Sequence, residues 1–348
     1  MLTTLTARFE ASLTEIDRLA LAEVTRWPWE DLPPMEKMLC TQLARPGKRL
    51  RPLLMLATAG LPAEGLPCLY PAAVAVELFH LASLILDDIQ DNAELRRGER
   101  AVHTTSGTSM AINLAGLLRT LSYHPVHRAE NLPASDRLKI HRLLDTAATR
   151  LFMGQTIDIG WDLGWYPEPA RFPYESMIAH KTGGLFGCAA RIGAFLAGRD
   201  EHAAEGFGAR AGALYQMSDD YDDVFAGDPE RSEDLREGKY TWPLIELRSR
   251  LQRTAPATAA EVTRWLREGT HQREIVDLMR DHGVDTGLRR RLDEMAHHLV
   301  IEARELTAGQ DGRTSPSPSP LEMFARVIAG SATRSGGQSA VPTIGVAP

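Results

Sequence analysis

Residues Pro71 to Asp91, PAAVAVELFHLASLILDDIQD, read as one long buried helix whose last turns carry Asp87, Asp88 and Asp91. A second acidic stretch, Asp219-Asp220-Tyr221-Asp222-Asp223, also follows an apolar-periodic segment. Residues three and four apart share a helix face, so Asp87, Asp88 and Asp91 are predicted to project together, as are Asp219, Asp220 and Asp223. Carboxylates crowded in this way repel one another unless cations sit among them. Hard oxygen ligands in this number suit Mg2+ bridging to a substrate phosphate, so the implied ligand is a diphosphate. One such segment alone is equally compatible with a solvated helix face, but two copies, each directly after an apolar run, point to metal.

Basic residues stand where a polyanion would need them. In Arg45-Pro46-Gly47-Lys48-Arg49-Leu50-Arg51-Pro52, Lys48 and Arg51 are three apart and open an apolar helix, which places both cations on one face beside anion-favouring amides. His80 lies seven residues before Asp87 and returns to the same helix face two turns away. Arg96 and Arg97 follow the last aspartate of the first motif closely. Upstream, residues 5 to 44 show helical periodicity broken around Trp27-Pro28-Trp29 and Leu32-Pro33-Pro34, which predicts two helices and a bend.

The rest of the chain sets bounds. Its 348 residues, 43% of them hydrophobic, are enough for a large core, and the abundance of Ala and Leu with little β-branched alternation predicts an all-α fold without a doubly wound sheet. A net charge of -7 disfavours a nucleic-acid surface. Cys40, Cys68 and Cys188 form no CxxC pair, which suits buried thiols in a reduced compartment. No apolar run is expected to span a bilayer and the first residues lack a signal-peptide pattern, so the expectation is a soluble, cytoplasmic protein. Residues 309–320, with Ser315-Pro316-Ser317-Pro318-Ser319-Pro320, read as an extended linker after a helical core of residues 1–308. A last helix is expected over 321–330 and a disordered tail over 331–348. His124-Pro125-Val126-His127 resembles a metal pair only superficially, and Trp161 and Trp165 read as core or rim residues.

The run from Glu77 through His80, Asp87-Asp88-x-x-Asp91 and Arg96-Arg97-Gly98 to His103 resembles the first aspartate-rich region of the trans-isoprenyl diphosphate synthases, the polyprenyl synthetase family. Gly47-Lys48-Arg49-x-Arg51-Pro52 is similar to that family's upstream signature. Gly154-Gln155-x-x-Asp158, Lys181-Thr182-Gly183, Gln216-x-x-Asp219-Asp220-x-x-Asp223 and Asp234-Leu235-x-x-Gly238-Lys239-x-Thr241-x-Pro243 then follow in the family's order, over residues 40 to 245. The resemblance implies a single-domain antiparallel helical bundle of the isoprenoid synthase type around a deep central cavity, assembled as a homodimer. It also implies an enzyme that joins isopentenyl diphosphate to an allylic diphosphate, giving a linear all-trans prenyl diphosphate.

By the same resemblance, Asp87 and Asp91 hold two Mg2+ ions and Asp219 a third, with Asp88, Asp220 and Asp223 supporting. Arg96, Lys181, Thr182, Gln216 and Lys239 match the allylic diphosphate side, and Lys48, Arg51, His80 and Arg97 the isopentenyl diphosphate site. Catalysis would rest on Asp87, Asp91, Lys181, Thr182, Asp219 and Lys239. Product length is expected to follow the small pair Ala82 and Ser83, with Phe79 as the floor. Phe79 lies eight residues before Asp87, roughly 12 Å along a helix. That favours a C20 product, with C15 next, although a neighbouring helix through Phe152 or Met153 is another place to close the cavity.

Leu86, Gly116-Leu117 and Gly227-Asp228-Pro229-Glu230-Arg231 depart from the family pattern, the last at a loop that commonly supplies a lysine to the leaving diphosphate; Arg231 is the candidate substitute. Two other readings stay open: a terpene cyclase using the same acidic clamp, and a non-catalytic subunit of a heteromeric synthase. The retained Lys48, Arg51, His80 and Arg97 argue against the first, and the completeness of both acidic motifs against the second.

Overall fold

A computed structural model describes residues 1–45, 47–60, 66–166, 171–311 and 317–332, and these are almost wholly helical. The chain divides into two compact units. Among the described residues, the first comprises those of 1–146 and 188–205, and the second those of 147–187 and 206–332.

The first unit opens with α1 (Leu2–Arg8), α2 (Glu10–Thr25) and α3 (Pro33–Ala44). The predicted bend is the break between α2 and α3, and Pro33 and Pro34 fill the first positions of α3, where a missing N–H leaves nothing unsatisfied. α4 (Leu50–Ala59) is short and apolar on the inside apart from Thr58; α5 (Leu69–Gln90) is the helix read from residues 71–91. Ala72, Ala73, Val74, Ala75 and Val76 of α5 are fully buried, which makes it the axis of this unit. At 22 residues α5 is in fact long and apolar enough, by length and composition, to cross a bilayer, which corrects the expectation that no run comes near. Its packing against α2, α4 and α7 accounts for that apolarity as core.

After α5 the chain makes a two-residue antiparallel hairpin, β1 (Leu95–Arg96) and β2 (Glu99–Arg100), in the register Leu95↔Arg100 and Arg96↔Glu99. Arg97 and Gly98 turn it with φ of 56° and 80°, the left-handed pair a tight hairpin needs. Helices α6 (Val102–Ser106), α7 (Thr108–Leu121), α8 (His124–His127) and α9 (Ala134–Asp162) follow.

The second unit takes in the end of α9, then α10 (Arg171–Ile178), a π turn over Ala179–Gly183, and α11 (Gly184–Leu196), which runs back into the first unit's span. α12 (Glu201–Phe225) carries the second acidic motif. It is followed by a 3-10 turn at Pro229–Arg231, α13 (Glu233–Glu237), α14 (Trp242–Thr254), α15 (Pro256–Glu268) and α16 (Gln272–Asp281). α17 (Val284–Asp311) and α18 (Pro320–Ala332) close the described chain. Trp242, Tyr174, Phe186, Phe207 and Phe324 are fully buried here. The predicted linker is shorter than expected at its start, because α17 continues through Asp311. Residues 312–316 lie outside the described residues, as does 333–348 of the expected tail. α18 begins where Ser319 Oγ accepts the Glu322 N–H at 3.1 Å, and Glu322 then joins Arg304 at 2.8 Å and Arg326 at 2.5 Å.

Candidate active site

In the first unit the candidate side chains gather along α5. Arg51, at the start of α4, places Nη1 2.9 Å from His80 Nε2. A guanidinium can only donate, so Nε2 accepts and the proton of the neutral imidazole sits on Nδ1. Burial first, then the Arg51 and Arg97 charges, hold His80 well below its usual range. Arg97 comes close through Gly47, where an added Cβ would stand 2.8 Å from Arg97 Nη1. Lys48 does not stand on a helix face with Arg51, because α4 begins only at Leu50. The intervening Arg49 adopts a left-handed conformation, φ 48° and ψ 35°, which breaks the helical spacing assumed from sequence.

The three aspartates at the end of α5 differ in burial, Asp88 being buried and Asp87 and Asp91 half-buried. Asp88 is buried and pairs with Arg96, whose Nε lies 2.5 Å from its Oδ1 and whose Nη2 also reaches it. The same Nη2 stands 3.2 Å from Asp87 Oδ2, so the arginine expected to face an allylic diphosphate spans both carboxylates. Burial lifts the Asp88 carboxyl, with Arg96 opposing it. Asp91 closes the helix, its N–H donating to the Asp87 carbonyl at 2.8 Å. Below them Phe79 is buried with the Arg119 guanidinium 4.8 Å from its ring centroid, Ala82 is buried, and Ser83 Oγ donates to the His80 carbonyl at 2.7 Å.

In the second unit a polar chain runs from the π turn into α12. Thr182 Oγ1 donates to Gln216 Oε1 at 2.9 Å, and Gln216 Nε2 donates to Asp220 Oδ1 at 2.9 Å. Asp220 Oδ2 accepts from Tyr174 at 2.7 Å and from the Trp242 N–H at 3.4 Å. Burial nevertheless pushes the Asp220 carboxyl up to about 6, against those three donors. Asp223 accepts from the Ser232 hydroxyl and from the Glu233 and Asp234 N–H groups at 3.2 and 3.3 Å, which ties it to the start of α13. Asp219 is exposed. Lys181 Nζ meets Asp158 at 2.6 Å, and Lys239 Nζ meets Glu237 at 2.9 Å. Asp234 is held well above the usual carboxylate range by burial and then by the nearby charges of Asp220 and Asp223.

Among the described residues no three His, Cys, Asp or Glu side chains form a closed metal cage. Mg2+ does not require one, since it keeps several waters and takes one or two carboxylates plus substrate phosphates. The all-oxygen donor set fits it, and a nearby cation would offset the carboxylate repulsion that adds to burial in lifting Asp220 and Asp234.

Trp161 is buried and Trp165 exposed, and Phe152 and Met153 are exposed side chains on α9. His124 packs edge-on against Trp27 at 5.1 Å. Arg231 is exposed in its 3-10 turn, and Arg273 pairs with Asp228 at 3.1 Å and Glu230 at 3.4 Å. Reading the sequence missed Tyr174, Ser232 and Arg49 as partners of the site. Tyr174 and Ser232 lie outside the quoted motifs and reach Asp220 and Asp223 only through folding.

Residues 33–281 match the polyprenyl synthetase family. The chain is 37% identical over 208 residues to a geranylgeranyl diphosphate synthase of Methanosarcina mazei, over 57% of this chain and 63% of that protein, so it spans under two thirds of that relative's length. It is 31% identical over 274 residues to a geranylgeranyl pyrophosphate synthase of Apiospora sacchari, over 75% of this chain and 76% of the relative. In structure it resembles the geranylgeranyl pyrophosphate synthetase of Pyrococcus horikoshii with a TM-score of 0.79, at 24% identity over 96% of this chain and 99% of that one, which fixes the fold as the all-α isoprenoid synthase type. With the family's match running from α3 to the end of α16 and enclosing both acidic motifs, the chain belongs to the polyprenyl synthetase family.

Proposed function

We propose that the chain is a Mg2+-dependent prenyltransferase that condenses an allylic diphosphate with isopentenyl diphosphate to a linear all-trans prenyl diphosphate, C20 in preference to C15. The observation that carries this reading is the cation and imidazole cluster of Arg51, His80 and Arg97 on the first unit, distinct from the acidic end of α5. A cyclase ionises one diphosphate and has no use for a second anion site. A silent subunit has no need of complete acidic motifs.

Within this reading Lys48, Arg51, His80 and Arg97 bind the diphosphate that stays attached to its carbon chain. Arg51 fixes the His80 tautomer, leaving Nδ1–H as the donor. Lys181 and Lys239 bring positive charge to the allylic diphosphate, where negative charge grows as the C–O bond breaks. Asp87, Asp91 and Asp219 would hold Mg2+, which when bound supplies further neutralisation of that leaving charge. Asp88, Asp220 and Asp223 instead support their neighbours through the hydrogen bonds given above. Thr182 and Gln216 orient polar atoms around the allylic cation, and apolar walls keep water from it. Once the new C–C bond has formed, the released diphosphate takes the proton that restores the double bond, so no side chain is required as base. A homodimer in the cytoplasm belongs to the same reading. C20 is supported by the two geranylgeranyl-named relatives and by small residues at 82 and 83.

The test is an incubation of purified protein with Mg2+, isopentenyl diphosphate and an allylic diphosphate, with products read by mass spectrometry. A longer linear diphosphate is expected. Hydrocarbon from the allylic substrate alone would establish the cyclase instead, and no turnover with any allylic primer would leave only the silent-subunit reading.

A further inference from the structure

We propose that Arg49 is a positioning residue that fixes the Gly47–Arg51 segment against three helices and thereby sets where Lys48 and Arg51 meet the non-ionising diphosphate. This rests on the reading of Lys48, Arg51, His80 and Arg97 as the isopentenyl diphosphate site.

Arg49 points away from the role of a surface cation. Its side chain is 11% exposed and uses three acceptors from three helices. Nε lies 2.9 Å from Asp17 Oδ1 on α2, Nη1 lies 3.5 Å from Glu77 Oε2 on α5, and Nη2 donates to the Leu43 carbonyl of α3 at 3.4 Å. Its backbone is left-handed, which a side chain adopts only when its surroundings hold it there. Its carbonyl accepts the Leu53 N–H at 3.0 Å, so the same residue starts α4.

The consequence for the site is geometric. Arg49 grips α5 at Glu77, and Arg51 grips the same helix one turn later at His80. Lys48 is the residue immediately before this clamp. Gly47, one residue earlier, leaves room for both guanidinia, since a Cβ there would stand 2.8 Å from Arg97 Nη1 and 3.1 Å from Arg49 Nη1. Asp17 and Glu77 meanwhile offset the charge of Arg49 among its arginine neighbours; both carboxyls are lifted by burial, with Arg49 the leading opposing charge. Three acceptors in three directions call for a planar fork of donors, so lysine should not replace arginine here.

The experiment compares Arg49→Gly, Arg49→Lys and Asp17→Asn with Arg51→Ala in the full-length enzyme. It measures KM for isopentenyl diphosphate, KM for the allylic diphosphate, kcat and thermal midpoint. Arg49→Gly keeps a residue at ease with the left-handed backbone while removing the clamp. It should raise KM for isopentenyl diphosphate about tenfold and leave KM for the allylic substrate within about twofold, with a cooperative melt retained. Arg49→Lys should fail to restore it, and Asp17→Asn should shift the same constant in the same direction by less. Unchanged isopentenyl KM in Arg49→Gly and Asp17→Asn, while Arg51→Ala raises it, overturns the positioning role alone. A parallel loss in kcat and both KM values with a lowered melt reduces Arg49 to a structural residue and also overturns it. Should Arg49→Gly not fold, Asp17→Asn carries the same comparison. If Arg51→Ala itself leaves the isopentenyl KM unchanged, the site assignment fails and this proposal with it.

Discussion

Asp87 and Asp220 are both motif aspartates, yet their surroundings give them different tasks. Asp220 accepts from Gln216, Tyr174 and Trp242 and is buried, so Asp220→Ala strips a buried network of its acceptor. It should cost about 1–3 kcal/mol of stability, read by urea melts, as well as activity. Asp87→Ala and Asp219→Ala should abolish most Mg2+-dependent turnover with little change in the melt, because Asp219 is exposed and the helix below Asp87 keeps its apolar core. Near-normal turnover in either would remove the metal assignment. His80 gives a pH dependence. Burial and the arginines hold its folded value below the 6.5 of a free imidazole, so the unfolded chain binds the extra proton first as pH falls. The stabilisation is therefore whole above about 6.5 and lost as pH drops below it. The thermal midpoint of the wild type should decline between about pH 7 and 5 more steeply than that of His80→Gln, and equal slopes would contradict the neutral buried imidazole.

At the scale of elements, the π turn Ala179–Gly183 is what brings Lys181 and Thr182 to their partners. Gly154 on α9 lets it approach: a Cβ there would lie 2.9 Å from the Lys181 Cα and closer still to its N atom. Gly154→Ala must therefore push α9 and the π turn apart. A loss of stability of about 1–3 kcal/mol together with a fall in kcat is expected from chemical melts and steady-state kinetics. Unchanged kinetics would show that the turn does not need this contact. The periodicity of α5 and α12 and the acids at their ends were legible in the sequence, since a 3.6-residue repeat of apolar side chains is a local signal. The left-handed Arg49, the hairpin at 95–100 and the π turn were not. Each depends on partners distant in the chain: Asp17 and Glu77 for the first, Arg45 for the second, Asp158 and Gln216 for the third. The spacing of Lys48 and Arg51 misled for the same reason, because a helix start is set by what anchors it and Arg49 is anchored by tertiary contacts.

For the molecule as a whole, the proposed elongation makes product length the property that these placements should govern. In the proposed elongation the growing chain extends from the acidic end of α5 along the side chains beneath it, where Ala82 and Ser83 are small. Phe79 is the next large side chain upstream, roughly 12 Å from Asp87 along the helix axis. It is not a loose ring: it is buried, and Arg119 of α7 stacks on it at 4.8 Å while also lying 4.4 Å from the Tyr123 ring. A braced ring is a better stop than a free one, because turning it aside breaks the stack as well as its packing. Phe79→Ala should therefore lengthen the product by one or more five-carbon units, beyond C20 on the proposed reading, with kcat for the first condensation little changed. Arg119→Ala, which keeps the ring but removes its brace, should give a mixture with a longer-chain fraction. Mass spectrometry of the diphosphates after dephosphorylation reads both. An unchanged distribution from folded, active Phe79→Ala enzyme would show that Phe79 only fills the core and that the stop lies on another helix.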